Sequence, residues 1–503
     1  MDPESDPAST ETTSNPPEPR EAMPRRARRA VRGGILGNYV DQFDIFLPII
    51  ALAPAAARLY GTENVATNAG LIFVATLIGR PLGAAIFGPI ADRIGRTTTT
   101  KITIAGVAIT TLLVAVVPGQ VTLGPGTLFS ILALRFLGGV FLGGGYTSAV
   151  PLAMEWTLPR RRGLVSGLIM WMSPWANASI AALVFVLLGV LGPDQYSVWG
   201  WRIPFILGAL MAFALLIYYR KYVSDSPAWK QAAKASHPLR DILVGAHRRP
   251  LWQVFVLMSG MWLFTNMAIA VLTGQLKASG HLNDQGVSFT MMCATVVSAI
   301  AMAACGHLST FIGRRVFFVG FGVLSAVLAP IVYLTIFRQT TLIAVVLLVG
   351  SLQIVTVSVY GPVAAYLTER FPTSVRSSGY GVAYSLSIVL PALYPYYLPP
   401  LQRALGDQLA VAALLALAGV LVATGAATGP ETSSMASIGA VDGRADAARV
   451  LADANNEADA SEYGWMNRER RGHHHRRHPL SPEPGPDTRR NSIRPARGDP
   501  RRR

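Results

Sequence analysis

Four ionisable residues sit inside long apolar segments. Asp41 and Asp44 fall in the first segment, Arg80 in the second and Arg135 in the fourth. At 1.5 Å per residue from Gly33, Asp44 lies about 16 Å deep, near the middle of a bilayer core about 30 Å thick. Arg80 and Arg135 lie about 18 Å and about 12 Å from the outer starts of their own segments. A carboxylate in such a place is costly to keep and usually has a job. Burial favours its neutral form and a neighbouring arginine its charged form, so the two together can load and release a proton. A guanidinium also grips a carboxylate through two parallel hydrogen bonds. Asp44 and Asp41, with Arg135 as partner, are therefore the candidates for proton coupling. Two arrangements stay open: Arg135 neutralises Asp44 as a fixed pair, or Arg80 and Arg135 receive an anionic substrate. Two acids and two arginines balance only when both acids are ionised. Protonating one leaves a positive site that accepts a carboxylate, which is a physical route to symport.

A second set of charges repeats along the chain. GPIADRIGR spans 88–96, and a worn copy, GHLSTFIGR, spans 306–314. Each copy sits between the second and third apolar segments of its half. Each is followed by a matching set: Glu155, Pro159, Arg162 and Gly163 in the first half, Glu369, Pro372, Arg376 and Gly379 in the second. A repeat on this scale describes two related bundles, a plan that transporters use.

The elements that must position these residues follow from composition. Charged residues make up only 14% of the chain, where soluble proteins carry roughly 25%. The spans expected to cross a membrane are 33–57, 68–91, 101–118, 127–154, 163–191, 199–221, 252–275, 286–306, 315–337, 341–367, 377–400 and 406–429. The expectation is an all-α membrane protein of twelve transmembrane helices in two six-helix bundles, 33–221 and 252–429. A polar linker, 222–251, joins them. Residues 1–32 and 430–503 have the composition of disordered segments. The first apolar stretch mimics a signal peptide, but its length and the spans that follow mark it as an uncleaved membrane helix. Gly79 with Gly83, and Gly139 with Gly143, have the four-residue spacing that lets helices approach closely. Pro391, Pro395, Pro399 and Pro400 should kink or end the eleventh helix.

Orientation comes from counting Lys and Arg. The stretches 20–32, 93–101, 160–162, 220–249, 314–315 and 370–376 hold 23, against five on the opposite side (Arg58, Arg202, Lys277, Arg338 and Arg403). The rich side is expected to be cytoplasmic, with both termini there. The net charge of +16 thus reads as topology and not as nucleic-acid binding. Cys293 and Cys305 fall in one helix, about 18 Å apart, too far to bridge each other.

The chain resembles the major facilitator superfamily over about 30–430. Within that range GRPLGAAIFGPIADRIGR (79–96), RFLGGVFLGGGY (135–146), EWTLPRRRG (155–163), WRIPF (201–205), DSPAW (225–229) and GPVAAYLTERFPTSVRSSG (361–379) are similar to the metabolite:proton symporter branch. The resemblance implies carriage of carboxylates, betaine-type zwitterions or shikimate-like acids. It also implies that Asp92, Arg93, Arg96, Glu155 and Arg162, mirrored by Arg314, Glu369 and Arg376, form a charge network that closes a cytoplasmic gate. Two departures stand out. Gly145 replaces the Glu of the branch's helix-four pattern, and Thr310 and Phe311 replace Asp and Arg in the second cassette, which should weaken the second latch. NYVDQFDIF (38–46) is similar to the first helix of aromatic-acid symporters.

Polar and aromatic residues within the helices supply candidate substrate contacts beside Arg80 and Arg135: Trp171, Trp175 and Asn177, Trp262 and Asn266, and Gln353, Tyr360 and Tyr384. Such aromatics also serve as packing and interface anchors. The run RERRGHHHRRH (468–478) lacks the helical spacing of a metal site and reads as a solvated basic tail. No nucleotide-binding loop or His-Glu-x-x-His pair occurs, so neither an enzyme nor an ATP-driven pump is indicated, and no cofactor or metal is called for. The function expected is proton-coupled symport of a small organic acid or zwitterion across a bacterial-type plasma membrane. Monomeric state is the family-level expectation. Proton-driven efflux by the same fold and aromatic-acid symport are the alternatives.

Overall fold

The computed structural model describes residues 23–61, 65–280 and 282–433. Every regular element among them is helical. Among the described residues, eleven helices are long and apolar enough to cross a membrane. In the first half these are α1 (Arg25–Tyr60), α2 (Asn68–Ile94), α3 (Arg96–Val116), α4 (Gly126–Glu155), α5 (Pro159–Gly200) and α6 (Arg202–Tyr222). In the second half, α7 (Arg248–Ser279), α8 (Gln285–Ile312), α9 (Arg314–Ile336) and α10 (Leu342–Arg370) precede α11, and α12 (Asp407–Ala427) ends the series. The segment α11 falls short because it is broken into Arg376–Leu386, Val389–Ala392 and Tyr394–Leu405. Its prolines lack an amide hydrogen and crowd the preceding turn. The expected single helix over 377–400 is thus corrected to three pieces.

Two other boundaries differ from expectation. Helix α1 begins at Arg25, not Gly33, so 25–32 is helical. The Arg-rich stretch RRARRAVR alternates strong helix formers with alanine, and propensity outweighs its charge. The linker 222–251 contains the short helices Pro227–Gln231 and Pro238–Leu243, and α7 starts inside it. Residues 1–22 and 434–503, including the histidine run, lie outside the described residues.

Glycine sets the geometry at two kinds of place. Gly95 (φ 136°) and Gly313 (φ 95°), equivalent in the two cassettes, turn the chain sharply from α2 into α3 and from α8 into α9. A side chain would be strained there. Along α2 and α4, Gly79 and Gly83 face the backbone of Phe136 and Val140, and Gly139 and Gly143 face the backbone of Thr76 and Arg80. A Cβ at any of the four would strike main chain. Lipid supplies no hydrophobic force between helices, so this close packing is what binds the pair. It also sets Arg80 on α2 beside the α4 helix that carries Arg135.

The two halves meet along two seams. Gly88 of α2 packs on the backbone of Ser378 in α11, and Gly167 of α5 packs on Ala303 and Gly306 of α8. Ser166 Oγ donates to Gly361 O across the second seam (2.6 Å). Large apolar residues such as Phe129, Phe185 and Ile343 stay exposed on the outer surface, the face a bilayer would cover.

Candidate functional site

The two acids of α1 have different surroundings. Asp44, 2% exposed, accepts from Arg135 Nη1 at Oδ2 (3.1 Å), and Thr111 of α3 donates to its Oδ1. Arg135 also reaches the Asp44 carbonyl (3.3 Å) and the Thr111 hydroxyl (3.4 Å), with its guanidinium 5.6 Å from the Phe205 ring. Both oxygens of Asp44 are engaged inside the first bundle. Of the two arrangements left open by sequence, the structure shows the Asp44–Arg135 pair formed.

Asp41, one turn earlier, faces Arg80. The Nη2–Oδ2 distance is 3.6 Å, within charge attraction but beyond a hydrogen bond. Asp41 Oδ2 and Arg80 Nε and Nη2 have no hydrogen-bond partner, although Arg80 is only 2% exposed. A buried guanidinium with spare donors is expensive unless something else binds them.

Arg80 lies among tyrosines. Its guanidinium is 5.6 Å from the Tyr146 ring and 5.8 Å from the Tyr384 ring, a cation–π arrangement. Tyr146 of α4 packs on Tyr384 (4.3 Å between centroids) and Tyr380 (5.5 Å) of α11. Trp262 of α7 meets Tyr384 (5.3 Å) and Tyr360 of α10 (5.6 Å) edge-on, and Tyr360 shares a hydrogen bond with Thr265 (3.2 Å). The cluster therefore joins both halves. Asn266 lies in a π-helical turn of α7, Asn266–Val271, and donates to Pro391 O in the break of α11 (2.8 Å). Two irregular helices are thus tied together beside the cluster.

The remaining aromatic and polar candidates do not join it. Trp171 pairs edge-on with Trp175 (6.5 Å), and Trp175 is 42% exposed, an outward position rather than a cavity one. Asn177 is half-buried on the same helix. Gln353 is buried with its Nε2 unpartnered. Tyr146 and Tyr380 were not singled out by sequence reasoning. The signal for Tyr380 was its four-residue spacing from Tyr384, which puts both on one helix face.

The charged repeat forms a closed latch between the halves. Asp92 accepts from the amides of Ser377 and Ser378 (both 2.9 Å) and from the Ser378 hydroxyl (2.8 Å). Those amides open the first piece of α11, where a helix N-terminus favours an anion. Arg96 contacts Glu155 and Asp92 and donates to Thr373 O (3.0 Å). Arg376 reaches Glu155 (2.5 Å), whose other oxygen accepts from Ser226 (2.6 Å). In the second half Arg314 pairs with Glu369 (3.4 Å), Arg162 approaches it across the seam (4.0 Å), and Thr432 donates to it (2.8 Å). Arg93 is exposed and forms no ion pair among the described residues, so it stands outside these contacts. In the second cassette Thr310 accepts from Arg314 Nη1 (3.4 Å), and Phe311 is exposed.

Each latch has a brace that motif reading missed. Asp225 of DSPAW accepts from the Thr97 amide at the start of α3 (2.8 Å). Glu431, just past α12, accepts from the Arg314 and Arg315 amides at the start of α9 (2.7 and 2.9 Å). Burial pushes the Glu431 carboxyl up, but hydrogen bonds from Ser433, Arg314 and Arg315 outweigh it and hold the group below its usual range.

The family description "Major Facilitator Superfamily" matches residues 35–395. The chain is 28% identical over 416 residues to the inner membrane metabolite transport protein YhjE of Escherichia coli (strain K12), covering 80% of this chain and 94% of the relative. It is 28% identical over 404 residues to a citrate-proton symporter of Salmonella typhi, covering 76% and 91%. Among solved structures, the proton:xylose symporter XylE bound to 6-bromo-6-deoxy-D-glucose superposes with a TM-score of 0.64 at 16% identity, covering 79% of this chain and 94% of that one. At that identity the likeness is one of fold.

Proposed function

Since the chain belongs to the major facilitator superfamily, a family of multi-pass membrane transporters and not enzymes, we propose that it imports a small organic acid or zwitterion together with protons. The observation that carries this reading is Arg80: buried, short of hydrogen-bond partners and walled by tyrosines from both halves. With Asp41 ionised, Arg80 is balanced. A proton taken up by Asp41 from outside releases Arg80 to hold a substrate carboxylate. The Asp44–Arg135 pair stays closed and fixes α1 against α4. Substrate held by Arg80 also touches rings of α4 and α11, so its binding favours a different approach of the halves from that of the empty site. The latch of Asp92, Glu155 and Arg376 then opens towards the cytoplasm, where both termini lie in this reading. The plasma membrane is the location it requires, and the bilayer, protons and one small solute are the partners it needs.

The test is uptake by purified protein in proteoliposomes, with labelled carboxylates, betaines and aromatic acids under an inward proton gradient. Accumulation of a carboxylate, lost in Arg80→Lys because the ammonium cannot fork, is the expected outcome. Extrusion of a loaded compound under the same gradient would overturn import in favour of antiport.

A further inference from the structure

A cavity of about 30 Å³, room for about two waters, lies inside the first bundle and touches the tyrosine cluster through Tyr146. It is bounded by α1, α3, α4 and α6, through residues that include Asn38, Asp41, Thr100, Thr103, Gly145 and Val150. Asp41 is at one extreme. The other reaches Thr100, one turn from Arg96, and Val150, close to Glu155, so the cavity points from the acid to the latch.

Its polar lining is incomplete. Asn38 is 3% exposed, and its amide donates to Ile169 O (2.5 Å) while Oδ1 has no partner. Asp41 Oδ2 is likewise open. Tyr219 is fully buried with an unpartnered hydroxyl that lies by Gly33 and Gly37, the latter a lining residue. Thr100 and Thr103 lie on one face of α3, their hydroxyls donating to carbonyls one turn back (2.7 and 3.0 Å); the Thr100 hydroxyl also contacts that of Ser148 (2.8 Å), while Thr103 keeps a lone pair free. A space with several open polar atoms holds water, whereas an all-apolar one stays dry. The charged and titratable groups facing Asp41 are Arg80 of α2, Asp44 of α1, Tyr146 of α4, and Tyr380 and Tyr384 of α11. Asp41 is the one charged residue in the cavity lining.

We infer that this cavity is a hydrated proton conduit that leads from Asp41, beside the tyrosine cluster, to the latch end of the first bundle. The inference rests on the reading of Asp41 as the coupling acid. A proton leaves the Asp41 carboxyl for a cavity water and passes along waters held by Thr103 and Asn38 towards the Thr100 end. The carboxylate left behind is paired with Arg80. Gly145 keeps the conduit open: a Cβ there meets only Thr103, at 3.5 Å, so a larger side chain would enter the space without striking backbone.

The experiment needs no substrate. Cys293 and Cys305 are replaced by Ser, Thr103→Cys is introduced, and 2-aminoethyl methanethiosulfonate is added from the latch side with a thiol scavenger opposite. The expected result is modification of Thr103→Cys that is lost when Gly145→Leu is added and kept with Gly145→Ala. In the same proteins, infrared spectroscopy follows hydrogen–deuterium exchange at the Asp41 carboxyl, which should slow sharply in Gly145→Leu. An unreactive Thr103→Cys, or exchange at Asp41 unchanged by Gly145→Leu, would overturn the conduit. A melting curve like that of the parent shows that Gly145→Leu is folded, and Thr103→Val, which removes the hydroxyl at constant shape, gives a second slowing. Because neither readout uses transport, a reactive cavity with no proton-driven uptake would sink the symport reading and leave the conduit standing.

Discussion

Arg80 stands 3.6 Å from Asp41 without a hydrogen bond, whereas Arg135 is bonded to both the carboxylate and the carbonyl of Asp44. The same two residue types, one helical turn apart on α1, thus form one loose pair and one fixed pair. Neutralising each acid should give opposite results. Asp41→Asn should fold normally and keep substrate exchange, but lose accumulation driven by a proton gradient. Asp44→Asn leaves Arg135 buried beside a neutral partner, a loss on the order of 3–5 kcal/mol. A marked fall in its melting midpoint in detergent, absent from Asp41→Asn, is the expected outcome. Equal melting of the two variants would contradict the division of labour.

The latch makes a prediction about populations. Asp92→Asn replaces a lone-pair-bearing oxygen with an amide that confronts the Ser377 or Ser378 amide, and removes the charge at the helix start. The closed arrangement should lose weight without loss of the fold. Spin labels at Ile94 and Ser374, in a chain freed of Cys293 and Cys305, should report a longer latch-end distance in Asp92→Asn than in the parent. Unchanged distance distributions would show that Asp92 does not set the closed state.

Glu431 gives a pH dependence with a fixed sign. Its carboxyl is held below the ordinary glutamate range of about 4.3. A depressed folded value contributes stability fully present above the unfolded pKa and lost as pH falls through the folded one. Glu431→Gln should therefore melt lower than the parent near neutral pH, with the gap closing only below about pH 4. A gap that widens as the solution is acidified would be the wrong sign.

The glycine face of α2 should tolerate nothing larger. Gly83→Val drives a side chain into the Val140 carbonyl, and overpacking of this kind costs about 1–3 kcal/mol or more. Folded yield should fall sharply, while Gly145→Ala on the same α4 partner, with ordinary contact only, should express like the parent. Comparable yields from the two would refute the close-approach argument.

How much of this was legible in the sequence depended on the range of the signal. Asp41, Asp44, Arg80 and Arg135 were conspicuous because charge inside an apolar run is rare, and the cassettes because they repeat. The pairing of Asp44 with Arg135 was one of two arrangements the sequence left open, and that of Asp41 with Arg80 was not legible, since helix rotation decides it and the apolar residues around the acids do not specify rotation. Tyr146 and Tyr380 were hidden for another reason: an aromatic in a membrane helix looks the same whether it anchors an interface or walls a cavity. The break in α11 was foreshadowed by its prolines. The start of α1 was misplaced because composition was weighed above helix propensity in 25–32. Asp225 and Glu431 reach amides 128 and more than 110 residues away, contacts that no local pattern carries.

The two seams between the halves are built from different materials. On the α2–α11 side, an acid holds three donors at once, and that grip is lost all together when α11 shifts. On the α5–α8 side the second cassette has Thr310 in place of the acid, and close backbone contact where Gly167 meets Gly306 is joined by one hydrogen bond, Ser166 to Gly361 O, and the longer Arg162–Glu369 approach. One edge therefore behaves as a clasp and the other as a hinge pin. Movement between the halves should swing about the glycine edge rather than part both edges in parallel. In the reading proposed above, the loss of the acid from the second cassette should leave the α2–α11 edge as the one that opens.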